Sequence, residues 1–432
     1  MAFILYTNQL HSKADTLEPA RVKQLAIQNF DFKNNIDWIE QFNSEIAHIQ
    51  HETKKQLESN CSRLPLHKKF PALEIPHISL CTLPTPVQQL EQLGPIIGAN
   101  LFFKRDDMTG GNFYGGNKPR KLEFELARAL YNGATHIITF GCAGSNHAVA
   151  TSEYSRKLGL KPICMLKPQA NSTVVRKNLL LHLDNNAELH YAPDNDVRRM
   201  ATFSTWLDLV NNGNHPYIIP TGGSTPLGTL AFVNAAFELK EQIDAGLLPE
   251  PDYIYVACGS TATTAGLLLG CKAAGLKCKI IAIAVEPEEE PNEFSKNVTK
   301  LFHETNHLLH SHDSNFPLFE INSEDLEINL NFAGSEYAVF TLECIEAREL
   351  LKRTEGITID GTYTAKAFAG LLADIKTNKR ENKTVLFWNT YCGTEFTDRL
   401  ANLDYKKLPA CFHRYFEEEV QELDRITNNH RY

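Results

Sequence analysis

From Leu101 onward the chain repeats one pattern: a short apolar run rich in β-branched or aromatic residues, a turn, then a longer stretch with helical spacing. The runs are LFFKR, HIITFG, PICML, ELHYA, YIIP, YIYVACG, IIAIAV and VLFWNT, with helical segments such as EFELARALYNG and ATSEYSRKLGL between them. Several runs are apolar throughout, as strands covered on both faces are. This alternation predicts an α/β protein with open, mostly parallel sheets flanked by helices and joined by right-handed crossovers. Ligands in such folds sit beyond the carboxyl ends of strands, where glycine-rich turns lead into helices.

Composition narrows the function. A chain of 432 residues is long enough for two or three domains and a cleft between them. Its net charge of -9 leaves no basic field for nucleic acid. No segment approaches the roughly 20 apolar residues of a membrane span, and the start, MAFILYTNQLHSK, does not read as a signal peptide. The ten cysteines, from Cys61 to Cys411, include no Cys-x-x-Cys pair and fit the reduced thiols of a cytoplasmic protein. Residues 1–70 are polar, with one amphipathic stretch, IDWIEQFNSEIAHIQ, and read as an appended segment that orders only by docking. The acidic stretch EPEEEPNEFSKN, residues 286–297, reads as a solvated loop with no binding role. A metal site is not indicated: Asp106 and Asp107 are adjacent and point different ways, and the histidines show no ligand spacing.

Four glycine-rich turns carry the chemistry. In GGNFYGGNKPRKLEF, residues 110–124, Gly111 and Gly116 have the spacing of a phosphate-binding P-loop, but Asn117, Lys118 and Pro119 replace its Lys-Ser/Thr ending. Taken alone, Lys118 is an ordinary surface lysine, and Arg120 and Lys121 read either as nearby cations that favour loss of its proton or as solvated helix residues. In TFGCAGSNHAVAT, residues 139–151, Ser145 and Asn146 precede a helix and could be no more than its N-cap. IPTGGSTPLG, residues 219–228, has the same form. VACGSTATTAG, residues 256–266, runs from strand through small hydroxylated residues into a helix, an anion site suited to a phosphate monoester. One cofactor, pyridoxal 5'-phosphate, uses an amine, a phosphate cradle, a donor to its phenolic oxygen and a partner for its pyridine nitrogen, and so accounts for all four.

The stretches KRDDMTGGNFYGGNKPRKLEF, GSNHA, TGGSTPLG, GSTATTAG and TEGITIDGTYTAKAFAGLL, in this order over residues 75–400, resemble the 1-aminocyclopropane-1-carboxylate deaminase and D-cysteine desulfhydrase family. The resemblance implies a two-domain fold like the tryptophan synthase β-subunit (fold type II), with residues 71–120 and 226–432 as a large cofactor-binding domain and 121–225 as a small one. It also implies a homodimer. By matched position, Lys118 resembles the lysine bonded to the cofactor aldehyde, Asn146 the donor to the phenolic oxygen, and Ser145 the serine facing the substrate. Gly259, Ser260, Thr261, Ala262 and Thr263 match the phosphate turn, and Tyr337 and Tyr363 match two tyrosines near the substrate, although either could equally pack half-buried.

Thr364 follows Tyr363 where the cyclopropane-opening enzymes carry a glutamate beside the pyridine ring. Val149, where an arginine is common, and NTYCGTEF, which lacks the usual paired glycines, depart from both branches and leave the substrate open in each. A hydroxyl, unlike a carboxylate, does not hold the ring nitrogen protonated. A weaker electron sink suits β-elimination from a cysteine-like or serine-like amino acid, giving a keto acid and ammonia. The histidine after Asn146, and Thr390 as a hydroxyl for the ring nitrogen, lean the same way. A small amino acid is thus the expected substrate of a lyase or deaminase. β-Replacement, as in cysteine synthesis, and a non-catalytic relative that binds cofactor or amino acid and acts through partners are the other two readings.

Overall fold

The structure, a computed structural model, describes residues 64–377 and 382–427. The amphipathic stretch expected before residue 50 lies outside them. The described residues form ten strands: β1 Val87–Gln89, β2 Asn100–Lys104, β3 His136–Cys142, β4 Lys161–Lys167, β5 Glu188–Tyr191, β6 Pro216–Ile219, β7 Tyr253–Cys258, β8 Lys279–Ala284, β9 Leu326–Asn329 and β10 Thr384–Trp388. They make a six-stranded sheet, order β1-β2-β10-β7-β8-β9, and a four-stranded sheet, order β5-β4-β3-β6. Only the β1–β2 edge pair is antiparallel; the other pairs are parallel. Helices cover both faces, so central runs such as IIAIA on β8 are almost entirely buried.

Each sheet nucleates its own core. Leu386, Ile254, Val256 and Ile280 face one side of the larger sheet, with helices Pro226–Asp244 and Ala262–Ala274 packed on them. Phe103, Tyr255, Ile281 and Phe387 face the other side, against helices Leu342–Glu355 and Thr364–Lys376. Helices 226–244 and 262–274 touch backbone to side chain: a Cβ on Gly266 would lie 2.6 Å from that of Phe232, and one on Gly270 2.7 Å from that of Ala236. Leu64, Leu66 and Phe70 join the first of these cores. Around the smaller sheet, Ile137, Ile219 and Val149 pack on one side and Ile138, Ile163 and Ile218 on the other.

Helix Lys118–Tyr131 is tied to the large sheet by a buried ionic cluster that includes Arg120, and Lys121 is fully buried as well, which overturns the solvated reading of both. Arg120 reaches Asp106 at 2.7 Å and Glu238 at 2.9 Å, while Lys104 meets Glu238 at 2.5 Å. The Trp388 indole N–H donates to Asp106 at 2.7 Å. Burying such charges is tolerable only because each is paired and hydrogen-bonded. The pairing holds Glu238 at about 2, well below an ordinary glutamate, with the Arg120 and Lys104 charges overcoming the desolvation that pushes it up. Asp107 pairs with Arg105 at 2.8 Å. Among the described residues no group of three or more His, Cys, Asp or Glu side chains is placed to hold a metal ion, and no helix is long and apolar enough to cross a membrane.

Candidate active site

A cleft of about 950 Å³ lies where the carboxyl ends of the parallel strands of both sheets meet, lined by Cys142 at the end of β3, Lys167 at the end of β4, Ala257 on β7, Glu286 after β8 and Thr390 after β10. Lys118, Ser145, Asn146, Gly259, Ser260, Thr261, Thr263, Tyr337 and Tyr363 line the same cleft. Residues up to 272 positions apart in sequence, Lys118 and Thr390, therefore share one site. Ala262 is fully buried beneath the turn. Thr364 is also fully buried and outside the cleft lining, with its hydroxyl donating to Asp360 at 2.6 Å. The structure thus gives Thr364 a capping role at its helix and does not bring it to the cofactor side.

Lys118 opens its helix, preceded by Gly116 at φ +86°, where any Cβ would lie 2.6 Å from the Thr390 carbonyl oxygen. That close approach delivers the lysine to the cleft wall. Its amine is half-buried, and no hydrogen bond to it is formed among the described residues. Desolvation lowers its pKa to about 8, and the Asp360 charge opposes the shift. An uncommitted amine of this basicity suits bond formation with an aldehyde.

The turn 259–263 leads into the thirteen-residue helix Ala262–Ala274 with Thr261 at φ +66°, a conformation L residues rarely adopt. Its helix N-terminus directs a positive dipole end at the cleft. Gly222 lies against it so tightly that a Cβ would meet the Ser260 hydroxyl at 2.0 Å. Ser224 donates to the Ser260 carbonyl at 2.5 Å, and Lys121, fully buried, donates to the Gly222 carbonyl at 3.0 Å. Burial and the Lys118 charge push the Lys121 ammonium well below its usual range, a cost that an anion in the turn would relieve. A narrow cradle backed by a helix dipole fits a phosphate monoester.

Asn146 accepts from the Tyr114 hydroxyl at 2.7 Å and from the Asn178 amide at 3.1 Å, which fixes its carbonyl oxygen inward and leaves its NH₂ for the cleft. Ser145 caps helix Asn146–Lys157, accepting from the Ala148 N–H at 3.2 Å. The Tyr337 and Tyr363 hydroxyls share a short hydrogen bond, and burial raises the pKa of both, so they hold their protons. Asp360, 3% exposed, also lines the cleft. Its carboxylate is fully engaged by the N–H groups of Thr362, Tyr363 and Thr364 and by the Thr364 hydroxyl.

Tyr114, Asn178 and Asp360 are functional candidates that the sequence did not mark. The acidic stretch 286–297 is a correction: Glu286, Glu289, Glu293 and Asn297 form part of the cleft wall, and residues from Glu293 belong to helix Glu293–His312. Across the cleft stand Lys167 and Arg198.

Two parallel sheets flanking a cleft that presents a lysine amine, a phosphate cradle and an oriented amide donor define an enzyme working through a phosphorylated aldehyde. The chain belongs to the pyridoxal-phosphate-dependent enzyme family, whose model matches residues 78–390. It is 34% identical over 316 residues to a Thermotoga maritima protein, covering 72% of this chain and 95% of that one. A Pyrococcus horikoshii protein is 33% identical over 345 residues, 78% of this chain and 100% of the relative. Both are named, provisionally, as 1-aminocyclopropane-1-carboxylate deaminases. A crystal structure described as that of an ACC deaminase homologue superposes with a TM-score of 0.65 at 31% identity, covering 77% of this chain and 97% of the other. The likeness to the tryptophan synthase-type fold and to pyridoxal-phosphate enzymes thus holds; the match to the family model ends at Thr390.

Proposed function

We propose that this cleft removes a β-substituent and ammonia from a small amino acid, in the manner of a D-cysteine desulfhydrase, rather than opening a cyclopropane ring. The observation that carries the reading is the pairing of two facts at the far wall. The Thr390 hydroxyl lines the cleft with no partner formed among the described residues, whereas the nearby carboxylate of Asp360 is saturated by four donors. The group available to a ring nitrogen is therefore a hydroxyl.

When bound, pyridoxal phosphate withdraws electrons from the substrate Cα and so acidifies its proton. The turn 259–263 would hold the phosphate, and the Asn146 amide would donate to the phenolic oxygen. The Lys118 amine would take the Cα proton at Nζ, its lowered pKa matching a base that works near neutrality. Ser145, at the positive end of its helix, would bind the substrate carboxylate. The hydrogen-bonded Tyr337–Tyr363 pair, which lines the cleft, would hand a proton to the departing β-substituent.

The test is a panel of L- and D-cysteine, their O- and S-substituted relatives and the cyclopropane acid, scored for keto acid and ammonia. Elimination from a β-substituted substrate is expected, and Lys118→Ala should lose both the visible cofactor band and the activity. Turnover confined to the cyclopropane acid would overturn the elimination reading.

A further inference from the structure

Beyond the family match, the chain runs on as a strap that crosses from one wall of the cleft to the other. Leu408, Phe412 and Tyr415 pack into a core of the smaller lobe with Val175 and Leu179, and Leu423 packs against the core beneath helices 342–355 and 364–376. Between these anchors sits Gln421. Its side-chain oxygen accepts the Phe340 N–H at 2.8 Å, and its amide donates to the Ala338 carbonyl at 3.1 Å and to the Asn171 carbonyl at 3.4 Å. Its own N–H donates to the same Asn171 carbonyl at 3.0 Å. Only this orientation of the amide satisfies all its partners, since a flip would set the oxygen against two carbonyls.

Both ends of this bridge abut the cleft. Ala338 follows Tyr337 and is held at φ +64°, a left-handed conformation that is strained for a non-glycine residue and persists only where its surroundings enforce it. Asn171 follows the cleft-lining segment 167–170. The Asn171 amide is itself fastened by the carbonyls of Tyr415, Glu418 and Glu419, and Asp424 accepts the Thr173 N–H at 2.6 Å.

We infer that Gln421 is a positioning residue: it clasps the Tyr337 loop to the 167–171 loop across the cleft and fixes the Tyr337 hydroxyl against Tyr363. The catalytic part of this inference rests on the placement of Tyr337 at the substrate proposed above; the clasp does not. Removing the side chain frees the strained Ala338 backbone, while Gln421→Glu sets a carboxylate against the Ala338 and Asn171 carbonyls and disrupts more.

The test uses the cofactor-loaded full chain. In Gln421→Ala, amide exchange should speed at least tenfold at Phe340 and rise together in segment 169–173, with Gln421→Glu the more severe. A displacement of the order of 1 Å at a proton donor costs up to about 100-fold, so kcat should fall between about fivefold and 100-fold with KM changed less than threefold. Combining Gln421→Ala with Tyr337→Phe should lower kcat little beyond Tyr337→Phe alone. Unchanged exchange in either segment would overturn the clasp. Raised exchange with a fully active Tyr337→Phe would uphold the clasp and remove Tyr337 from the reaction.

Discussion

Lys118 shows what a single residue can and cannot announce. Its place after GGN was visible in the sequence, but its basicity is set by what surrounds it in space. With a pKa of about 8, roughly one amine in ten is neutral at pH 7, against about one in three thousand for an unperturbed lysine. The rate at which cofactor-free protein captures pyridoxal phosphate should therefore climb about tenfold per pH unit below 8 and level off above it. In Asp360→Asn the bend should move to lower pH, because the anion that favours the ammonium is gone. Stopped-flow absorbance over pH 6.5–10 reads both, and a rate still climbing steeply at pH 10 would contradict the lowered pKa. Short motifs marked the residues that touch the cleft, since strand–turn–helix junctions leave glycine and hydroxyl signatures. Tyr114, Asn178 and Asp360 left none: they act by holding Asn146 and a helix end, and nothing in a Tyr or an Asn tells which distant side chain it will meet.

At the scale of elements, all eight apolar runs became strands; most are continuously buried, which demands continuous apolarity, while ELHY at the edge of the smaller sheet is half-buried. The two missed strands lack that mark: β1 reads VQQ and pairs on one edge, and β9 reads LEIN at the other, with intermediate burial. The acidic stretch before helix Glu293–His312 was misread for a related cause, since charge in a sequence is the same whether it faces bulk water or a cleft. Helix Lys118–Tyr131 carries the hidden ionic cluster, and its energetics can be tested. Arg120→Met leaves Asp106 and Glu238 buried with less compensation and should destabilise by about 3–5 kcal/mol in urea unfolding. Arg120→Lys should recover less than half, because an ammonium cannot reproduce the bidentate fork. Glu238 is depressed in the folded state, so its contribution is present above its ordinary pKa of 4.5 and is lost as pH falls toward 2. The stability gap between wild type and Arg120→Met should accordingly narrow between pH 4.5 and 2; a gap that widened there would refute the pairing.

At the scale of the whole molecule, the cleft wall is built by two lobes with separate cores, and a cofactor held in it must bind both. The turn 259–263 approaches from the larger sheet and Ser145, Asn146 and Gly222 from the smaller, so pyridoxal phosphate would act as a cross-link as well as a reagent. A ligand bound only by the folded state stabilises it by about 2.7 kcal/mol at a hundredfold excess over Kd. For a chain of this size that corresponds to a rise of about 2 °C or more in Tm. Covalent attachment through Lys118 should add to this, so Lys118→Ala should keep the smaller, concentration-dependent part of the shift and lose the remainder. Because the contacts span both lobes, the calorimetric transition of the cofactor-free protein should be broader than that of the loaded protein, approaching two steps as the lobes melt independently. Scanning calorimetry with and without cofactor separates the cases: equal Tm values and equal widths would mean that the cofactor does not bridge the two lobes, and the cleft would then have to be reassigned to one of them.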